Sequence, residues 1–208
     1  MNPRRLIPRL LLCAIAIGCD SDSADKSTAS PTTASQSNGA NEPRTDTNAM
    51  NQSNYEVADV YSGLRDQVLQ LKPDAIGVKD AEQSSVIAVL MEIAYPEAVV
   101  TLVAVTDGTA SLYFSNGGGI IGGGEHEPVC KVSAEFIRLA QQYVSLSALT
   151  DTFPLPKKNN VRCYLVTLGG VYTFEALEDD LGNNRHACSE LFHKSHELIT
   201  AIREHTSD

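Results

Sequence analysis

The chain is poor in the signatures that announce a reaction. H-E-x-x-H, G-x-S-x-G and a Walker loop are all absent, and no two cysteines stand in C-x-x-C spacing. Zinc peptidase, serine hydrolase, P-loop and thiol redox chemistry thus lack their usual support. Cations are scarce as well: 16 Lys and Arg stand against 26 Asp and Glu, for a formal net charge of −10. A surface of that sign repels phosphate backbones and anionic headgroups. It argues against nucleic acid and against a purely electrostatic membrane contact, and it leaves a basic partner open. No apolar run reaches the roughly 20 residues that a bilayer-spanning helix needs.

What is present begins with a short greasy run. Arg4, Arg5 and Arg9 precede Leu10-Leu11-Leu12-Cys13-Ala14-Ile15-Ala16-Ile17, the length of a secretory h-region, which predicts removal rather than spanning. Ala16-Ile17-Gly18-Cys19 resembles the lipobox of bacterial lipoproteins, in which small residues precede a cysteine that is lipidated and becomes the new N-terminus. The resemblance implies a signal peptide over 1–18 and a covalent lipid on Cys19, with two or more acyl chains giving stable anchoring where one would not. It also implies a location in the cell envelope, outside the cytoplasm and held at a membrane. Loss of the three arginines deepens the net charge of the mature chain from −10 to −13.

From Asp20 to Asn54 the residues are mostly Ser, Thr, Asn, Ala, Gln and Asp, a composition that cannot offset the entropy of ordering. With Cys19 this makes 19–54 a disordered tether with a typical span of roughly 30–35 Å. Residues 55–208 are close to the common size of one domain and read as one. Lipidation of Cys19 leaves Cys130, Cys163 and Cys188, so at most one internal disulfide can form. A Cys163–Cys188 bond would contribute roughly 3.5 kcal/mol in the chain-entropy model, while unpaired cysteine packs equally well as a small apolar residue.

Hydrophobic spacing orders the domain. Val57, Val60, Tyr61, Leu64, Val68 and Leu71 predict a first helix, ended by Lys72-Pro73. The apolar runs Val86 to Ala94 and Ala98 to Val105, followed by an Asp107-Gly108 turn and Ala110 to Ser115, predict a three-stranded antiparallel meander whose strands are covered on both faces. Pro128 opens a second helix with Val129, Val132, Phe136, Leu139, Tyr143 and Leu146 on one side. Strands Val161 to Leu168 and Val171 to Ala176 follow, then a last helix with Cys188, Leu191, Phe192, Ile199 and Ile202 inward. The expectation is an α+β fold of about five antiparallel strands flanked by three helices, in the order α-β-β-β-α-β-β-α. That order resembles the profilin, roadblock and longin domains, although roadblock domains place two strands before the middle helix and three after. Such a likeness carries no site. Ser111-Leu112-Tyr113-Phe114-Ser115, with the glycine triplets and the Gly-Glu-His that follow, also looks like a family of uncharacterised bacterial proteins, which implies no chemistry.

Three groups of residues offer sites. Gly117, Gly119 and Gly122 match G-x-G-x-x-G, but Glu125 and Glu127 bring like charge to where a phosphate would sit. The loop with Gly117, Gly118, Gly119, Gly122, Gly123 and Gly124 reads better as a contact surface or a place of close backbone approach. Glu125 and His126 suit a general base or metal ligand, yet neighbours on an extended loop point in alternating directions. His186, Glu190, His193 and Glu197 form one helical stripe with metal-ligand spacing that faces away from Leu191 and Ile199, as solvated charges ordinarily do. No cofactor beyond the lipid is expected. The leading expectation is a non-catalytic domain binding a protein or small molecule. The alternatives are an envelope hydrolase using Glu125 and His126, with or without metal, and a regulatory dimer.

Overall fold

A computed structural model describes residues 56–77 and 82–206. The signal segment, Cys19 and the tether lie outside the described residues. The domain is α+β, with one sheet in the order β4-β3-β2-β1-β6-β7-β5 and every neighbour antiparallel. The strands are β1 (Val86–Ala94), β2 (Val99–Val105), β3 (Ala110–Phe114), β4 (Gly119–Ile120), β5 (Ala148–Thr150), β6 (Asn160–Thr167) and β7 (Gly170–Leu177). The helices are α1 (Asp59–Leu69), α2 (Glu127–Ala140), α3 (Glu178–Gly182) and α4 (Ser189–Thr206). No helix among the described residues is long and apolar enough to cross a membrane.

Seven strands and four helices replace the expected five and three. The additions are short edge pieces that leave almost no hydrophobic period. β4 is two residues of the glycine-rich stretch paired to β3, β5 is three residues paired to β7, and α3 is the acidic Glu178-Asp179-Asp180 turn. The five long strands and the three main helices lie where apolar periodicity places them.

β1 is buried along all nine residues, so both faces of the sheet need a cover. On one face Val89, Met91, Leu102 and Leu165 pack against Val129 and Phe136 of α2 and Leu191, Leu198 and Ile202 of α4. At about 1.5–3 kcal/mol for each fully buried large side chain, this layer supplies most of the drive to fold. Cys163 and Cys188 sit in it as free thiols, correcting any expectation of a bond between them, and burial raises the proton affinity of both. On the other face Leu90, Val103, Tyr113 and Tyr164 meet Tyr61 and Leu69 of α1 and Phe153 and Leu155 of the loop before β6.

The second face also holds a charge. Glu92, 0% exposed, stands on β1 directly opposite Thr101 of β2 and Arg162 of β6. Arg65 of α1, 7% exposed, grips it with Nε to Oε1 at 2.6 Å and Nη2 to Oε2 at 3.1 Å. Tyr61 Oη lies 2.8 Å from Thr101 Oγ1, and Thr101 in turn bonds to Glu92. The Arg65 guanidinium lies 5.4 Å from the centre of the Tyr164 ring, whose hydroxyl donates to the Pro154 carbonyl at 2.6 Å. Burial pushes the Glu92 carboxyl up against the pull of Arg65, and pushes Tyr164 up to about 12. The network also explains how α1 is turned. Its buried line is Tyr61, Arg65 and Leu69, so Val60, expected inward, is 52% exposed.

Replacing one partner of this pair strands the other in an apolar layer. Arg65→Met is expected to cost about 3–5 kcal/mol in urea unfolding, whereas Arg65→Met with Glu92→Met recovers most of that loss. A double variant as unstable as the single one would contradict the account.

Candidate functional site

The glycine-rich stretch forms a strap, and close approach of neighbouring atoms accounts for three of its six glycines, Gly119, Gly123 and Gly124. Gly117 and Gly118, both with φ +92°, make the turn between β3 and β4. Gly123 and Gly124 are buried and unavailable to a partner in this fold. A Cβ on Gly123 would lie 3.1 Å from the Ala110 carbonyl oxygen and 3.3 Å from Ile202 Cγ1, and one on Gly124 would overlap the Gly108 carbonyl oxygen. Gly119 belongs to β4, α2 starts only at Glu127, and among the described residues no strands pair in parallel, so a pyrophosphate cradle of the dinucleotide kind does not form there.

Histidines and carboxylates suspected from the sequence are dispersed. His126 immediately precedes α2 and stacks on His205, ring centres 6.4 Å apart. His205 lies about 18 Å along α4 from His193 at the helical rise of about 1.5 Å per residue. His186 precedes α4 instead of joining its stripe; it stacks on Phe174 at 6.1 Å, and its Nδ1 accepts from the Cys188 N–H at 3.1 Å. Glu190 accepts from Tyr143 Oη at 3.2 Å, and His193 Nε2 lies 3.1 Å from Asn184 Oδ1. Glu197 shares Lys194 with Glu135, each at 2.7 Å. Among the described residues no three His, Cys, Asp or Glu side chains gather as metal ligands.

The structure instead opens a cleft of about 350 Å³ between α2 and the end of the sheet where β1 begins and β2 turns into β3. Its wall includes Val86, Val105 and Ile137, with Cys130, Arg138 and Gln141 among the polar residues that line it. Both ends of α2 are pinned. At the N-terminal end Gly124 abuts the Gly108 backbone, and Cys130 Sγ donates to the Gly124 carbonyl at 2.8 Å. Just beyond the C-terminal end, Gln141 Oε1 accepts from Val86 N–H at 2.8 Å while its Nε2 donates to the Ser84 carbonyl at 2.9 Å. Between these contacts α2 packs on the sheet through Phe136, 0% exposed, and the cleft is lined by Cys130, Ala134 and Arg138. Ser133 is 1% exposed, and its hydroxyl has no hydrogen-bond partner among the described residues. An unpaired buried hydroxyl carries its full desolvation cost, about 1–3 kcal/mol.

No motif marks this cleft in the sequence; the one polar residue at an inward position of α2 is Ser133. A second, shallower depression of about 530 Å³ is bordered by Glu178, Asp179, His193 and His196 and lies open to solvent. His196 packs edge-on against Phe192 at 4.6 Å; burial, helped by His193, holds its proton affinity below the usual histidine value.

Two expectations follow from these placements. Gly124→Ala forces the strap off Gly108 and should cost about 1–3 kcal/mol, loosening Cys130 to alkylation; unchanged melting would contradict the clamp. The His196 pKa is depressed in the folded state, so the unfolded chain binds the extra proton first. This group's contribution is present above about pH 6.5 and is lost as pH falls through that value toward the folded pKa. His196→Phe should therefore flatten the decline in melting temperature between about pH 7 and 5. No family model, no curated protein and no solved structure matches the chain.

Proposed function

We propose that the chain is a cell-envelope lipoprotein, anchored by acyl chains on Cys19, whose α+β domain binds a small molecule without transforming it. The observation that carries the binding reading is the cleft of about 350 Å³ beside α2, walled by the apolar Val86, Val105 and Ile137 with Arg138 among its lining residues. The anchor reading rests on Arg4, Arg5 and Arg9, the short apolar run and Gly18-Cys19. A hydrolase built on Glu125 and His126 draws little support, because His126 keeps company with His205 at the far end of α4 from His193. The profilin- and roadblock-like likeness remains one of element order and contributes no residue to the site.

A regulatory dimer is the second reading, favoured by one observation. β5 forms a free edge of the sheet, and Leu149 on it is 64% exposed. Leu149→Lys would then lower a concentration-dependent mass in sedimentation, and a wild-type chain that stays monomeric removes this reading.

For the address, Cys19→Ala is expected to abolish membrane sedimentation and labelled-palmitate uptake; retention of both rejects it. For the site, mass spectrometry of small molecules released from the purified full chain should find a species that Ala134→Trp, which fills the cleft, no longer retains. Identical release from both forms rejects the cleft.

A further inference from the structure

We infer that the free edge of the sheet at β5, with the uncharged corner around it, is the docking face for a second copy of this chain. The inference rests on the regulatory-dimer reading and assigns that dimer its interface. Leu149 and Leu146, at 64% and 57%, are the two most exposed large apolar side chains among the described residues. Charge is missing around them. No residue between Arg138 and Asp151 is charged, and the same holds between Arg162 and Glu175 and between Glu82 and Glu92. The fold brings the exposed parts of these three segments to one corner. The Gly169 N–H donates to the Gln83 carbonyl at 2.7 Å, Gln141 Nε2 donates to the Ser84 carbonyl at 2.9 Å, and a Cβ on Gly170 would lie 2.9 Å from Leu149 Cδ1.

The sign of the chain selects the occupant. Two copies that each carry a formal charge of −10 repel one another wherever acidic surfaces meet, so they associate best through a face that brings no carboxylates together. A basic partner would seek the acidic residues and leave this corner unused. Backbone geometry agrees. β5 pairs with β7 on one side only, and no lysine, proline or charge guards its outer edge. A free antiparallel edge is self-complementary, because an identical edge turned by a two-fold axis meets it strand to strand. The corner also lies away from the tether. The chain enters the domain at Ala58, whose N–H donates to the Ser115 carbonyl at 2.8 Å just beyond β3. With β2, β1, β6 and β7 between them, β3 and β5 are about 24 Å apart. A bilayer holding the anchor lies nearest the β3 side, which leaves β5 to a neighbour on the same surface. Copies confined there by lipid anchors meet at a raised effective concentration, so a small face suffices.

The test reconstitutes the full lipidated chain in phosphatidylcholine vesicles with one cysteine introduced, as Leu149→Cys, Leu146→Cys or Ile121→Cys, the last just past β4 on the opposite edge. Oxidation with copper phenanthroline should link Leu149→Cys or Leu146→Cys copies through the new thiol, mapped by peptide mass, and should not link Ile121→Cys copies that way. The linked form should fade as protein is diluted into excess lipid. Charge swapping then identifies the partner as an identical face. Leu149→Glu and Leu149→Lys should each weaken the dimer about tenfold or more in sedimentation of the full chain in detergent, at an unchanged melting temperature, and an equal mixture of the two should recover it. Added salt should tighten the wild-type dimer, because it screens repulsion between like-charged copies. A dimer that links through Ile121→Cys, that survives both Leu149 variants, or whose mixed variants bind no better than either alone overturns this face and leaves the dimer reading standing. A chain that stays monomeric at every protein-to-lipid ratio removes both. A bimane label on Leu149→Cys that reports an apolar setting at every dilution assigns the corner to the bilayer and overturns the second copy.

Discussion

One carboxylate in a strand buried from end to end sets the terms for half of this domain. Glu92 is carried into the sheet's interior by the apolar residues around it, and there it must have a cation. Arg65 answers from α1, Thr101 bonds to the carboxylate and is itself bonded to Tyr61, and the Arg65–Tyr164–Pro154 contacts tie the loop before β6 into the same cluster. The rotation of α1, and with it the exposure of Val60, follows from that demand.

The opposite face is governed by shape rather than charge. α2 and α4 cover it with large apolar side chains, Phe136 in the middle of α2 among them, and the side chains of Cys130 and Gln141 tie the two ends of α2 to neighbouring backbone. Tight packing normally removes gaps, because a void forfeits dispersion contacts along its lining. A cleft of about 350 Å³ nevertheless remains beside α2. In the glycine-rich strap, glycine is required where a Cβ would strike a neighbouring carbonyl, at Gly119 and Gly124, while Gly118 and Gly122 are exposed.

Much of the architecture was legible from period alone. Val86 to Ala94 and Val99 to Val105 alternate between two covered faces, and Val129, Phe136, Leu191 and Ile202 fall on the inner sides of their helices. β4 and β5 escaped because two or three residues show no period, and their existence depends on a partner strand. The site was less legible. His186, Glu190, His193 and Glu197 have ligand spacing, yet each is spent on a local partner: a backbone amide, Tyr143, Asn184 and Lys194. Ser133 and Arg138 carry no motif and matter only because a gap lies beside them.

The sequence by itself determined the layered α+β class, the positions of the long strands and helices, and the anionic character of the chain, since these depend on local periodicity and composition. Tertiary structure alone decided that Glu92 meets Arg65, that His126 is separated from His193, and that a cleft opens beside α2. Those outcomes depend on which surfaces meet across long stretches of chain, and pairwise distances of that kind are written in no single segment.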